Sequence, residues 1–176
     1  MRFTPLELPD TVIIDVEGHA DGRGVFARTF CQTEFAAAGL PTRFVQSSVS
    51  FNTRRGTLRG LHYQVPPMPE GRLVRCTRGA IHDVVVDLRS SSATFLRWIA
   101  VELTAENRRS LYVPPGCAHG FQTLVDESEV LYLMTEFYAP ELAVGVRWND
   151  PAFGVVWPIA DPTMSERDAT YPDFRP

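Results

Sequence analysis

The sequence contains no lysine, and all 17 of its basic residues are arginines. This absence excludes a lysine Schiff base, a covalent pyridoxal phosphate site and a GKS or GKT phosphate loop. The formal net charge is -4, and the longest basic runs are the pairs Arg54–Arg55 and Arg108–Arg109. Since no basic stripe could follow a nucleic-acid backbone, we expect no nucleic-acid partner.

Long apolar runs and cysteine pairs are also missing. No stretch approaches the ~18 apolar residues of a membrane span, and the first residues lack the apolar segment of a signal peptide. Three cysteines, Cys31, Cys76 and Cys117, form no CxxC pair, which favours reduced structural thiols over a disulfide framework or a zinc site. We therefore expect a cytoplasmic protein with no membrane partner.

The composition that remains is typical of a globular domain. Of 176 residues, 44% are hydrophobic and 22% are charged. A chain of this size buries roughly 70% of its unfolded surface on folding, so packing alone is sufficient for stability. We predict a single domain over residues 1–176.

From residue 44 onward, short runs rich in β-branched and aromatic residues alternate with Gly and Pro, which is typical of an all-β sandwich or barrel. Strands are predicted at 44–51, 57–64, 73–78, 80–88, 95–103, 110–113, 129–138 and 144–148. Eight strands favour a jelly roll, also called a double-stranded β-helix.

One or two short helices are expected beside these strands. The first is predicted over 33–38, with Thr33 as its N-cap and Gly39 ending it. The polar tail from 161 to 176 is expected to cross the surface or cover an opening.

Residues 80–88 place polar and apolar side chains on both faces of a strand, with His82 and Val84 on one side and Asp83 and Val85 on the other. This mixture predicts a strand that lines a partly wet cavity. In the segment 129–138, Tyr132 shares a face with Tyr138, so both would look into such a cavity.

Two histidines lie in sequence motifs: His62 in Arg59-Gly60-Leu61-His62 and His119 in Gly116-Cys117-Ala118-His119-Gly120. A lone histidine in a strand is more often a partly buried structural residue than a catalyst. Strict alternation puts Arg59 and His62 on opposite faces, so a shared pocket requires a bulge or bend at Gly60.

A metal site is the obvious alternative for a small barrel with histidines. The sequence contains no His-x-His pair, and along the chain His119 is followed by no carboxylate or imidazole until Asp126. We therefore expect no metal.

Several further motifs occur along the chain: Asp21-Gly22-Arg23-Gly24-Val25-Phe26, Phe44-Val45-Gln46, Leu58-Arg59-Gly60-Leu61-His62-Tyr63-Gln64, Leu73-Val74-Arg75, Asp83-Val84-Val85-Val86-Asp87-Leu88-Arg89, the segment 114–121, Trp148-Asn149-Asp150-Pro151 and Trp157-Pro158. Together they resemble the dTDP-4-dehydrorhamnose 3,5-epimerase family, a metal-independent branch of the cupin jelly rolls. The resemblance implies a cupin-like fold, no cofactor, and an isomerase that inverts C3, C5 or both in a nucleotide-linked 4-keto-6-deoxy hexose.

The resemblance also implies catalytic roles. The C–H bonds beside the keto group have a pKa on the order of 19, against about 6.5 for histidine, a gap of roughly 17 kcal/mol that a base alone cannot close. Stabilisation of an enolate is therefore required. By resemblance His62 is the base, Asp168 orients it, Tyr132 is the acid at C5, and Arg72 stands where the family usually has the enolate-stabilising lysine.

Further residues match substrate-binding positions of the family. Arg23 and Arg59 match partners of the diphosphate, Gln46 and His119 match groups near the sugar, and Phe26, Ser48 and Tyr138 match other contacts. In this family the segment with Arg23 and Phe26 reaches into the neighbouring subunit's site. The resemblance therefore implies a homodimer with an exchanged N-terminal segment and a nucleotide-diphosphate sugar as substrate.

Some positions depart from the family pattern. Arg72 replaces lysine, Ser48 replaces asparagine, Arg28 reverses a charge near the base, Ala143 replaces a glutamate, and His82 adds a titratable group beside the predicted cavity. Two alternatives follow: a cupin that binds a sugar nucleotide without turnover, and a single-centre 3- or 5-epimerase acting on a dTDP, CDP or GDP sugar.

Overall fold

The computed structural model describes residues 1–175, so Pro176, at the end of the predicted tail, lies outside the described residues. The described chain forms thirteen strands and two short helices. The strands are β1 (Arg2–Pro5), β2 (Val12–Asp15), β3 (Gly18–Asp21), β4 (Gly24–Ala27), β5 (Gln46–Asn52), β6 (Leu58–Gln64), β7 (Arg72–Arg78), β8 (Ala80–Asp87), β9 (Trp98–Thr104), β10 (Ser110–Val113), β11 (Cys117–Thr123), β12 (Ser128–Met134) and β13 (Ala143–Gly145), and the helices are α1 (Gln32–Ala37) and α2 (Glu166–Ala169).

Eleven strands form two sheets, and all neighbouring strands are antiparallel. One sheet has the order β1-β2-β10-β7-β12-β5 and the other β13-β6-β11-β8-β9, while β3 and β4 form a separate hairpin. From β5 to β8 the chain passes from one sheet to the other at each strand, and it does so again from β9 to β13. This arrangement confirms the predicted jelly roll with two short helices.

The main core lies between the two sheets. Val74 and Leu111 from the six-stranded sheet pack with Ile81, Val85 and Phe121 from the five-stranded sheet, and all five are essentially inaccessible to solvent. Each such side chain stabilises the fold by about 1.5–3 kcal/mol relative to an exposed position. The sandwich is therefore a rigid support for side chains that point into the same interior.

Both outer faces are covered in part. Helix α1 buries Phe35 against the six-stranded sheet beside Leu73 and Tyr112. Residues 150–175, which we name the strap, cross the five-stranded sheet, where the Gln122 side chain donates to the carbonyl of Ile159 and accepts from its amide, both at 2.9 Å. The predicted tail thus lies across the surface.

The strap explains the mixed faces of β8. Ile81 and Val85 point into the main core, whereas Val84 and Val86 pack beneath the strap. The strand is buried on both sides, so the prediction that it lines a wet cavity is wrong for most of its residues. Asp83 is directed toward His119, as described below.

Several predicted boundaries are wrong. Strands β1 to β4 and β11 were not predicted, β12 ends at Met134 rather than at 138, β9 begins at 98 rather than at 95, and β13 spans only 143–145. Helix α1 begins after Cys31 instead of Thr33, and Cys31 makes no capping hydrogen bond with its side chain. Gly39 follows the helix with a φ of 72°, which is the predicted terminating conformation.

Among residues 1–175, no helix is long and apolar enough to cross a membrane. The three cysteines of the described chain are unbridged. Burial raises the pKa of Cys76 to about 11 and that of Cys117 to about 12, so both are protonated thiols at neutral pH.

Candidate active site

A cavity of about 620 Å³ lies between the two sheets, among β5, β7 and β12 on one side and β6 and β11 on the other. Nine of the eleven predicted site residues line it: Gln46, Ser48, Arg59, His62, Arg72, His119, Tyr132, Tyr138 and Asp168. Three lining residues were not predicted: Ser50, Glu70 and Met134. Residues spread over 122 positions of sequence thus meet in one polar cavity.

A short polar contact joins His62 on β6 to Asp168 on α2, with 2.7 Å between Nε2 and Oδ1. Asp168 is buried, and its Oδ2 accepts the amide of Gly60 at 3.3 Å. Burial raises the pKa of Asp168, but the hydrogen bond and charge of His62, helped by Gly60 and Ser165, outweigh that effect and hold it below its ordinary value. The group is a carboxylate at neutral pH, able to orient the imidazole and to stabilise its protonated form.

A bulge in β6 allows Arg59 and His62 to face the same cavity. In the pairing with β11, His62 lies opposite His119 and Arg59 opposite Phe121, so two residues of β6 lie opposite the single residue Gly120. Gly60 has a φ of 136°, and a Cβ at this position would meet the Cα of Gly120 at 2.5 Å. The predicted bulge at Gly60 is confirmed.

His119 is almost inaccessible, and its Nε2 lies 2.8 Å from Oδ1 of Asp83 on the adjacent strand β8. Although no carboxylate or imidazole follows His119 along the chain until Asp126, strand pairing brings both Asp83 and His62 beside it. Within residues 1–175, no three or more His, Cys, Asp or Glu side chains are grouped so that they could hold a metal ion.

Tyr132 enters the cavity from β12, on the sheet opposite His62. Its ring meets that of His119 edge to face, with 6.0 Å between centroids. Burial, aided by the charge of Asp83, raises the pKa of Tyr132 far above its ordinary value, and the positive charges of Arg72 and Arg59 oppose that rise. The phenol is therefore protonated at neutral pH, and the charges of Arg72 and Arg59 favour its anion.

Both arginines of the cavity are held by neighbours that were not predicted. Arg72 Nε donates to Oε1 of Glu70 at 2.5 Å, and its Nη1 donates to the carbonyl oxygen of His62 at 3.1 Å. Arg59 Nε donates to Oδ1 of Asn52 at 2.7 Å. The sequence could have suggested Glu70, because it is two residues from Arg72 and therefore on the same side of an extended chain. It could not have suggested Asn52.

Gln46 and Tyr138 form part of the rim. The side-chain oxygen of Gln46 accepts the backbone amide of Tyr138 at 2.5 Å, while the Tyr138 side chain remains largely exposed. Ser48 on β5 lies opposite Tyr132 in the pairing with β12. These residues leave the cavity open to a ligand on this side.

Arg23 and Phe26 lie away from this cavity, on the β3–β4 hairpin. Phe26 is 79% exposed, and within residues 1–175 the side chain of Arg23 pairs with Asp21 of the same hairpin, at 2.6 Å. The described chain does not bring them to the other predicted site residues.

Two of the departures from the family pattern also lie elsewhere. His82 points to the outer face of β8, where its ring meets Trp157 of the strap with 6.1 Å between centroids. Its predicted position beside the cavity is therefore wrong, because it alternates with Asp83 along the strand. Arg28 pairs with Glu34 at 3.1 Å on the surface of α1.

A second cavity, of about 660 Å³, is slightly larger and lies among β2, β10 and the end of α1. It is lined mainly by prolines and aliphatic side chains, and the one charged pair on its wall, Asp10 and Arg89, is already joined at 3.0 Å. The smaller cavity is the candidate active site, since it brings the His62–Asp168 pair, His119 and Tyr132 together around free volume.

The fold and this cavity define a class: a cupin-like jelly roll with an enzyme-type polar site between its sheets. The model of the family described as dTDP-4-dehydrorhamnose 3,5-epimerase matches residues 5–176. The chain belongs to this family and is an isomerase-type enzyme.

Individual relatives agree with that membership. A dTDP-4-dehydrorhamnose 3,5-epimerase from Methanothermobacter thermautotrophicus is 45% identical over 177 residues, covering 99% of this chain and 95% of the relative. The structure of the Bacillus anthracis dTDP-4-dehydrorhamnose 3,5-epimerase with TDP and PPi bound has a TM-score of 0.96 and 36% identity, covering 98% of this chain and 99% of that one. ChmJ, a 3'-monoepimerase from Streptomyces bikiniensis in complex with dTDP-quinovose, has a TM-score of 0.89 and 35% identity, covering 96% and 86%.

Proposed function

We propose that the protein inverts C3 and C5 of dTDP-4-dehydro-6-deoxy-D-glucose, giving dTDP-4-dehydro-L-rhamnose. The observation that carries this proposal is the His62–Asp168 pair on one wall of a cavity whose opposite wall holds Tyr132. A base and an acid on opposite sides of a sugar ring are what inversion of a carbon centre requires.

In the proposed reaction, His62 removes the proton from the carbon beside the keto group, and the electron pair of the C–H bond moves into an enolate at C4. Arg72 and His119 stabilise the negative oxygen. At C5, Tyr132 returns a proton from the opposite face, and at C3 a solvent water returns it. Protonated His62 then loses its proton to solvent, and the phenolate, or the hydroxide left by the water, regains one. One proton leaves and one is added at each inverted centre, so no cofactor is consumed.

Substrate binding is proposed to involve two subunits. Arg59 stands at the edge of the cavity with its free guanidinium nitrogens available to a diphosphate, which its planar fork suits. The exposed Arg23 and Phe26 of the β3–β4 hairpin have no role in their own chain's cavity, which supports a homodimer in which each hairpin completes the partner's site. The Bacillus anthracis relative binds TDP, which supports a dTDP sugar as substrate.

A single-centre epimerase is the second candidate, because Arg72 stands where the family usually has lysine and because ChmJ, with the same fold, is a 3'-monoepimerase. A sugar-nucleotide-binding protein without turnover is the remaining alternative.

Solvent exchange distinguishes these functions. The protein is incubated in D₂O with dTDP-4-keto-6-deoxyglucose and with its CDP and GDP analogues, and deuterium at C3 and C5 is followed by NMR. Exchange at both carbons supports the 3,5-epimerase, exchange at one supports the single-centre enzyme, and no exchange favours the binding protein. His62→Ala is expected to abolish exchange at both carbons while changing the affinity for dTDP by less than about tenfold.

A further inference from the structure

Glu70 places a buried carboxylate against the guanidinium of Arg72 inside the candidate active site. The side chains of Glu70 and Arg72 are only 5% and 17% exposed, and 2.5 Å separates Oε1 from Nε. A buried ion pair is costly to desolvate, so it is weak evidence for stability alone. Its place on the cavity wall calls for a role in the site.

We propose that Glu70 is a positioning residue that holds Arg72 in the orientation needed to stabilise the enolate, and that residues 70 and 72 therefore function as a matched pair. This inference rests on the proposed function. The guanidinium is fixed at two points, by Glu70 on Nε and by the His62 carbonyl on Nη1 at 3.1 Å. Of its five N–H donors, three remain for the cavity, and the two hydrogen bonds orient the plane in which they lie.

The backbone between the two side chains is also fixed. The amide of Gly71 donates to Thr135 Oγ1 at 2.8 Å, and the amide of Thr135 donates to the Gly71 carbonyl at 2.9 Å. A Cβ at Gly71 would come within 2.7 Å of the Tyr112 hydroxyl. The side chains of Glu70 and Arg72 consequently extend from one anchored segment toward the same cavity.

The pairing has a consequence for the identity of residue 72. A lysine ammonium is a compact charge on a flexible stem, and in this setting it could fold onto the Glu70 carboxylate and withdraw from the substrate. Arginine avoids this outcome because Nε binds Glu70 while the terminal nitrogens stay free. An arginine at 72 therefore requires the carboxylate at 70, and a lysine at 72 requires its absence.

Arg72 also acts within the site and not only on Glu70. Its positive charge lowers the pKa of Tyr132 against the effect of burial, which places the guanidinium within electrostatic reach of the proposed acid. A purely structural ion pair elsewhere in the sandwich would have no such neighbour.

The experiment is a cycle of three variants, Glu70→Gln, Arg72→Lys and the double variant, assayed for kcat, KM and deuterium exchange with dTDP-4-keto-6-deoxyglucose. We expect Glu70→Gln to lower kcat about tenfold with KM changed less than about threefold, and Arg72→Lys to lower kcat about 100-fold or more. The double variant should be at least about tenfold faster than Arg72→Lys, because the ammonium is no longer captured. Glu106→Gln, in the exposed turn after β9, is the matched control and should behave as the parent.

A double variant no faster than Arg72→Lys would overturn the inference. A second readout is independent of turnover: the ¹⁵N–¹H signal of Arg72 Nε, assigned by its loss in Arg72→Lys. Glu70→Gln should shift this signal and speed its exchange with water, and an unchanged signal would also overturn the inference. A parent that exchanges no sugar proton would instead contradict the proposed function, and the NMR signal would still decide whether Glu70 orients Arg72.

Discussion

His62 and Asp168 are 106 residues apart in the sequence, and their side chains are 2.7 Å apart in the fold. The strap makes this contact by crossing the five-stranded sheet and ending in α2, where Ser165 Oγ accepts the amide of Asp168 at 3.1 Å. The position of the carboxylate thus depends on the docking of the whole strap.

Asp168→Asn is expected to lower kcat by about 10²–10⁴, because the neutral amide cannot stabilise protonated His62. The fold should also be less stable at neutral pH. The folded-state pKa of Asp168 lies below its ordinary value of 3.8, so the stabilisation is present above that pH and is lost as the pH falls through the lower folded-state pKa. Denaturant unfolding of parent and variant between about pH 7 and pH 3 should show the difference shrinking in acid.

Asp161→Asn, on an exposed part of the strap, is the control for both measurements. Equal turnover of Asp168→Asn and the parent would show that the pair has no catalytic role. A stability difference that grew in acid would contradict the sign derived for its pKa.

Tyr132→Phe removes one hydroxyl at nearly constant volume and should separate exchange from inversion at C5. Proton removal needs His62, whereas return of the proton from the opposite face needs the phenol. NMR in D₂O should therefore show a ratio of exchange to inversion that rises at C5 and is unchanged at C3. The same ratio in variant and parent would rule out the acid role of Tyr132.

Gly60→Ala should disrupt the bulge that turns Arg59 and His62 toward one cavity. The new Cβ would meet the Cα of Gly120 at 2.5 Å, and the φ of 136° is unfavourable for any side chain. We expect the free energy of unfolding to fall by about 3 kcal/mol or more. Activity should be lost as well. Gly22→Ala, where a Cβ meets nothing within 4 Å, should unfold as the parent does in thermal melts, and equal melting of both variants would contradict the prediction.

Asp87→Asn should test the polar network at the end of β8. The buried carboxylate accepts Arg89 Nε at 2.9 Å, Ser92 Oγ at 2.6 Å and Thr94 Oγ1 at 2.7 Å. Burial raises the pKa of Asp87, but the hydrogen bonds from these three donors have a larger, opposite effect and hold the pKa well below its ordinary value. We expect the free energy of unfolding at neutral pH to fall by about 3–5 kcal/mol, since Arg89 loses a buried partner.

The exposed carboxylate on the same arginine provides the control. Asp10→Asn removes a contact to Arg89 of 3.0 Å at a side chain that is 73% exposed, and should cost less than about 1 kcal/mol. Chemical denaturation of both variants gives the comparison, and similar losses would show that burial does not decide the strength of this network.

The strands that sequence reasoning identified are those with one apolar face or a long apolar run, such as β8 and β12. The β3–β4 hairpin is exposed along nearly its whole length, so it has no apolar alternation to detect. Strand β11 is buried at every position, but its composition resembles that of a loop. It contains small residues, among them Gly120, which closely approaches Gly60. Packing, rather than strand propensity, makes it a strand.

For the site, strand alternation predicted the bulge at Gly60 on the condition that Arg59 and His62 share one cavity, because strict alternation would put them on opposite faces. The Asp83–His119 contact could not, since it depends on the register between β8 and β11. The roles of the cavity residues came from family resemblance and stay predictions, while Glu70 could have been noticed from its two-residue spacing to Arg72.

His62 and Tyr132 stand on opposite sheets, so the gap between them is set by the apolar layer that holds the sheets apart. Protein interiors are packed so closely that adding or removing one methylene displaces neighbouring side chains. A reacting group misplaced by about 1 Å can slow a reaction about 100-fold. Under the proposed function, core positions such as Val85 and Leu111 would act as spacers between the base and the acid. We then expect repacking of that layer to change which sugar carbon is inverted, with every residue of the cavity left unchanged.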